Sequence, residues 1–100
     1  MSGRGNYIAG VSGCQRELWP ECDKFLRAAI PLVGNQAGIT GPLYFYLGLA
    51  NYRVAMLTGN RPKLQEAIKF SNQSAAIAGP MQNQARQNAF AMEKDLTTKR

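Results

Sequence analysis

The side chains that could carry chemistry in this chain are few, and its two cysteines are the most distinctive. Cys14 and Cys22 lie eight positions apart, and the 100-residue sequence contains no histidine and no further cysteine. A zinc site needs about four nitrogen or sulfur ligands, so this pair is too small to form one. A disulfide is one alternative, but two free thiols are the simpler interpretation, with Cys22 packed as a small hydrophobe. We expect no metal and no cofactor.

The remaining polar residues do not form a recognisable catalytic arrangement. Without histidine the chain lacks the commonest general base. The six carboxylates fall mostly at positions that we expect to face solvent on helices, and Glu66 has possible ion-pair partners in Lys63, Lys69 or Arg53. The glycine-rich residues 34–41 lack the Lys-Ser/Thr pair of a phosphate-binding loop. The sequence therefore predicts that the chain is not an enzyme.

The basic residues outnumber the acidic ones, 12 to 6, which gives a formal charge of +6. They are spread along the chain, whereas nucleic-acid-binding proteins usually cluster Lys and Arg on one face or carry a known module. A small basic nucleic-acid-binding protein is therefore the alternative function, without a motif to support it.

The apolar stretches are too short to place the chain in a membrane. The first 13 residues contain no apolar run of the length that a secretory signal needs. The most apolar stretch, residues 43–57, contains Asn51 and Arg53 and is too short to cross a bilayer. We expect a cytoplasmic protein that does not act at a membrane.

These residues must be positioned by helices, because no segment alternates polar and apolar residues as a strand does. Gly3, Gly5, Gly10 and Gly13 predict a flexible glycine-rich arm over residues 1–13, followed by a single helical domain over residues 14–100. The fold class is all-α, with three or four principal helices. The predicted helices cover about residues 20–30, 42–57, 61–78 and 80–96, with a loop over residues 33–41.

Proline and glycine positions mark the ends of these helices. Pro20, Pro42, Pro62 and Pro80 each suit a first helical turn. Gly59 suits a left-handed position after the second helix, and Asn60 or Arg61 can cap the third.

The second predicted helix is apolar on two sides. Leu43 and Leu47 belong to one side, whereas Phe45, Leu49, Tyr52 and Met56 lie nearly opposite. A helix that is apolar on two faces is buried between neighbours. We therefore predict that the second group binds a partner or packs against another helix.

A second candidate binding position lies in the last helix. Phe90 falls outside the apolar stripe of that helix and stands among polar residues that include Arg86. An aromatic side chain beside an arginine has the composition of an interface anchor. We predict that Arg86 and Phe90 contact a partner or a second copy.

An internal repeat organises these helices. Gly41-Pro42 and Gly79-Pro80 are 38 residues apart, and this overlay aligns Leu47 with Ala85 and Tyr52 with Phe90. Repeats with periods of 20–50 residues are typical of stacked helix pairs.

Residues 41–80 resemble the tetratricopeptide-repeat family. Tyr44, Leu47, Gly48 and Tyr52 approximate its first-helix signature, and the small residues Ala67, Ser71 and Ser74 stand in the second helix. The resemblance implies antiparallel helical hairpins and a protein-binding role. The predicted function is thus a non-enzymatic helical scaffold that binds a protein partner or a second copy through apolar helix faces.

Overall fold

The computed structural model describes residues 2–98, and within them it forms five α-helices and no strand. The helices are α1 (Gly3–Gln15), α2 (Trp19–Val33), α3 (Ala37–Thr58), α4 (Arg61–Ala75) and α5 (Gln82–Thr98). The all-α prediction is confirmed, but five helices are present where the sequence predicted three or four.

The additional helix is α1, which occupies most of the region where we expected a flexible arm. The side chain of Ser2 caps α1 by accepting a hydrogen bond from the backbone N–H of Gly5. The glycines of α1 allow close packing on α2: a Cβ atom at Gly10 would lie 2.5 Å from the Leu26 side chain. The predicted boundary between residues 13 and 14 therefore falls inside a helix.

The predicted loop over residues 33–41 is much shorter in the structure. The chain is non-helical only over residues 34–36, and α3 begins at Ala37 rather than at Pro42. Pro31 likewise lies inside α2, which continues to Val33. Neither proline ends its helix, because packing against neighbouring helices outweighs the loss of one backbone hydrogen bond.

The junction between α3 and α4 matches the sequence prediction. Gly59 adopts a left-handed conformation with φ of 70° and its N–H donates to the Ala55 carbonyl. The Asn60 side chain accepts a hydrogen bond from the N–H of Lys63 at 3.1 Å, and Pro62 lies in the first turn of α4. The end of α4 at Ala75 and the start of α5 at Gln82 differ by a few residues from the predicted bounds.

The central helix is α3, which contacts each of the other four helices. Leu26, Leu43 and Leu47 are fully buried in a core cluster formed mainly by α2 and α3, to which α1 adds Cys14 and α4 adds Phe70. A second cluster joins α3 to α4 and α5 and contains Ala67, Ile68 and Met92.

The interpretation of Cys14 and Cys22 as free thiols is wrong. The two residues form a disulfide, with their Cα atoms 5.0 Å apart. The packing of α1 on α2 brings the last turn of one helix beside the first turn of the other. A sequence interpretation that lacked α1 had no means of pairing them.

Candidate binding face on the central helix

Within the described residues, no helix packs directly over one side of α3. α1 approaches α3 at Tyr46, whose carbonyl oxygen lies 3.6 Å from the Cys14 sulfur. α5 approaches at Tyr52, whose hydroxyl donates a hydrogen bond to the Asp95 carboxylate at 2.7 Å. Tyr46 and Tyr52 are six residues apart, so they bound an arc of the helix surface that lies between α1 and α5.

Among the side chains in the arc between those two contacts, we call four the α3 outer face: Phe45, Leu49, Arg53 and Met56. Phe45 and Leu49 are half-buried, whereas Arg53 and Met56 are exposed. The helices α1 and α5 both contact α3, yet none of their described residues come within 8 Å of each other between Cα atoms. We use the name trough for the surface of α3 between α1 and α5, along which the outer face lies.

Tyr52 belongs to a different part of the helix. Its ring packs against the second core cluster, and its hydroxyl is engaged by Asp95. The hydrogen bond to Asp95 and burial raise the pKa of Tyr52, although the nearby Arg53 opposes this shift. The structure thus brings Phe45, Leu49 and Met56 together and assigns Tyr52 to a contact within the chain.

A cavity of about 360 Å³ lies at the C-terminal end of the outer face. Its lining consists of Glu17, Trp19, Arg53, Met56 and Leu57. The Arg53 guanidinium lies over the Trp19 ring, 5.9 Å from its centroid. Leu57, at 78% exposure, is the most exposed large hydrophobic residue in the described part of the chain.

The sequence analysis missed Glu17, Trp19 and Leu57. Glu17 lies in the turn between α1 and α2, and Trp19 is the first residue of α2. The single tryptophan was the available signal, since tryptophan is enriched at interfaces.

The turn that carries Glu17 has an unusual backbone. Leu18 N–H donates to the Gly13 carbonyl and Glu17 N–H to that of Cys14, the two hydrogen bonds of a Schellman motif. Glycine normally occupies the left-handed position of this motif, whereas here Glu17 holds it with φ of 59°.

Arg86 and Phe90 lie away from the trough. Both are exposed on α5, and Phe90 retains 62% exposure. The Lys94 ammonium lies 4.9 Å from the centroid of the Phe90 ring, and Arg86 donates a hydrogen bond to Asn83. Their positions on α5 are roughly half a turn or more from Asp95, the residue that faces α3.

A polar network ties α2 to α4 across α3. Arg27 donates hydrogen bonds to Asp23 at 2.8 Å and to Glu66 at 2.9 Å, and Asn51 donates to Asp23 at 2.9 Å. The hydrogen bond to Glu66 raises the pKa of Arg27, and the same bond lowers that of Glu66. The ion-pair partner of Glu66 is therefore Arg27 rather than the residues suggested by the sequence. This network joins α2, α3 and α4.

The described residues contain no group of three potential ligands that could hold a metal ion. None of their helices has the length and hydropathy needed to cross a bilayer. No protein-family model matches the chain, and no curated protein or solved structure is detectably similar to it.

Proposed function

We propose that this chain is a non-enzymatic helical scaffold that binds another protein, or a second copy of itself, through the α3 outer face. The observation that carries the proposal is the row formed by Phe45, Leu49 and Met56. Neighbouring helices cover this row only in part, whereas they pack against the other sides of α3. Burying such side chains removes apolar surface from water, at roughly 25 cal/mol per Å². Arg53 interrupts the row and supplies a charge that fixes the orientation of a bound segment.

The dimensions of the face suit a short polypeptide segment. From residue 45 to residue 56 the helix rises by about 16 Å, at 1.5 Å per residue. An amphipathic helix that enters such a groove places its anchors at similar intervals of three or four residues. The α1 and α5 walls restrict the directions from which the segment approaches.

The proposed architecture is a pair of antiparallel helical hairpins, similar to tetratricopeptide repeats, with α5 following them. Contacts between opposite ends of successive helices support it. Gly3 lies against Leu32 while Gly13 lies against Cys22. In the α3–α4 pair the Ser74 hydroxyl donates a hydrogen bond to the Gly41 carbonyl. At the other end of the pair the Lys63 ammonium donates one to the Asn51 side chain.

Two further expectations remain predictions. Arg86 and Phe90 form a separate candidate contact on α5. A cytoplasmic location is also untested, and the disulfide weighs against it, because disulfides persist mainly in oxidising compartments.

The experiment selects binding peptides from a displayed random library on the oxidised chain and measures their affinities for two variants. Leu49→Asp places a charge on the outer face, whereas Gln87→Asp makes a matched charge change at an exposed position of α5. We expect Leu49→Asp to weaken binding about tenfold or more, because a buried carboxylate loses its hydration. Gln87→Asp should leave the affinity within about twofold, and circular dichroism checks that both variants keep their helicity.

Sedimentation of the same proteins tests the second copy as the occupant. A self-association that Leu49→Asp abolishes and Gln87→Asp preserves supports the proposal. It fails if selected peptides bind both variants equally, or if the chain is monomeric and selects no peptide. Binding to nucleic acid that weakens steeply with salt in both variants would instead support the alternative function.

A further inference from the structure

The helix α1 adds few apolar side chains to the core. Its contributions to the neighbouring core cluster are Cys14, Tyr7 and Val11, and the last two are only half-buried. Ile8, the other large aliphatic residue of α1, is 58% exposed. α1 itself therefore contributes few buried apolar side chains to its contact with α2 and α3, whereas Leu26 of α2 is buried against the backbone of Gly10.

The composition of α1 also disfavours an isolated helix. Four of its 13 residues are glycines, and glycine lowers helix stability because it loses the most backbone entropy on folding. The Glu17 turn that follows adopts a left-handed conformation that costs energy for a residue with a side chain.

The position of the disulfide lets it offset both the small number of buried apolar side chains in α1 and the low helix propensity of its sequence. It connects the last turn of α1 to the first turn of α2 and closes the chain around the Glu17 turn. Cys14 and Cys22 are both buried, and the Cys14 sulfur also touches the backbone of α3 at Tyr46. The cross-link thus holds α1 at the point where all three helices meet.

We infer that the Cys14–Cys22 disulfide is a latch that keeps α1 docked, so that its reduction releases α1 while α3, α4 and α5 remain folded. A dithiol reductant supplies the two electrons and two protons. The two thiols of the reductant are oxidised to a disulfide. The bond between the Cys14 and Cys22 sulfurs breaks, and each cysteine becomes a thiol. Release of α1 removes one wall of the trough. The inference concerns the docking of α1 and holds whether or not the trough binds a polypeptide.

Hydrogen exchange measured by mass spectrometry tests the latch. The oxidised chain is compared with the chain treated with dithiothreitol and with the double variant Cys14→Ala/Cys22→Ala. The cross-link joins residues eight positions apart, and its removal increases the entropy of the chain once α1 is released. This entropy predicts that α1 amides exchange on the order of fifty-fold faster without the disulfide. Amides of α4 that exchange through local openings should change by less than about twofold, because these openings do not unfold the cross-linked segment.

The double variant also controls for the reagent, since dithiothreitol should have no effect on its exchange. The latch is refuted if α1 exchange is unchanged on reduction, or if the locally opening amides of α4 and α5 accelerate as much as those of α1. A double variant that does not fold also refutes it, because the disulfide would then support the whole chain.

A third variant separates loss of the latch from incidental damage to the core. Ser12 is exposed on α1, and Ser12→Ala raises helix propensity without touching the disulfide. Added to the double variant, it should slow the exchange of α1 amides by about twofold and leave α4 unchanged. No slowing would show that the weakness of α1 as a helix does not underlie its release.

Discussion

Two helix pairs of this molecule, α1 with α2 and α3 with α4, are brought equally close but are held by different means. Each has a glycine at the contact: Gly10 lies against Leu26, and Gly48 lies against Ser71. The α3–α4 pair adds the buried Ala55, Leu64 and Ala67. The α1–α2 pair adds the disulfide.

The comparison shows how a covalent link substitutes for apolar area. Burial stabilises α3 along its length, because its buried residues recur from Leu43 to Ala55. The disulfide acts at one end of α1 only, so the opposite end depends on the Ser2 cap and on the contact of Gly3 with Leu32. Proximity between helices is therefore not a measure of how strongly they are held.

The largest expected effect comes from truncating the core of the apolar pair. Leu64→Ala removes an α4 side chain that is 5% exposed and packs in the α3–α4–α5 cluster, and we expect it to lower the free energy of unfolding by about 3 kcal/mol. Val11→Ala, on the half-buried face of α1, should cost about 1 kcal/mol. Urea unfolding of both variants checks the difference, and equal losses would contradict the comparison.

Removing the cross-link is the next largest change. The double variant Cys14→Ala/Cys22→Ala should lose about 2–3 kcal/mol, the magnitude expected for a short closed loop. Thermal unfolding of the oxidised chain, alone and with reductant, supplies the matching measurement. A loss below about 0.5 kcal/mol would mean that packing alone holds the first pair.

A smaller effect of opposite sign is expected in the turn between α1 and α2. Glu17→Gly relieves the cost of a left-handed residue, and should stabilise the chain by about 0.5–1 kcal/mol. Gly59 already occupies the corresponding position after α3, so Gly59→Ala should destabilise the second pair. A destabilised Glu17→Gly variant would show that the carboxylate makes a contact worth more than the backbone cost.

The smallest effect concerns the polar network that joins α2 to α4. The pKa of Glu66 lies below its ordinary value of 4.5 because Arg27 donates a hydrogen bond to its carboxylate. The resulting stability is present above about pH 4.5 and is lost as the pH falls through the lowered pKa. The side chains of Arg27 and Glu66 are 37% and 36% exposed, so the contribution should stay below about 1 kcal/mol.

Urea midpoints at neutral pH and near pH 3 measure this contribution. Wild type should lose more stability on acidification than Glu66→Gln, which cannot form the ion pair. An identical loss in the two proteins would show that Glu66 contributes nothing to the pH dependence.

The sequence predicted the parts of the fold that local patterns control. Gly59, Asn60 and Pro62 act within a few residues of their positions, and all three mark the α3–α4 junction as expected. The two-faced composition of α3 separated Phe45, Leu49, Tyr52 and Met56 from Leu43 and Leu47. Leu43 and Leu47 are fully buried, and Tyr52 packs against the second core cluster. Partner binding by Phe45, Leu49 and Met56 stays a prediction.

The features that the sequence could not predict depend on packing between distant residues. The glycines of α1 resemble a flexible segment until Leu26 and Cys22 are known to lie against them. The bond from Arg27 to Glu66 spans 39 positions, so no spacing rule connects the two residues. The disulfide depended on the same undetected helix.

The central claim is that α1 is held less securely by packing than α4. Native-state hydrogen exchange of the oxidised chain at low urea concentrations tests it most directly. We predict that amides near Tyr7 open with a free energy at least about 1 kcal/mol below that of amides near Ile68, which should exchange only through global unfolding. Equal opening free energies in the two helices would contradict the claim.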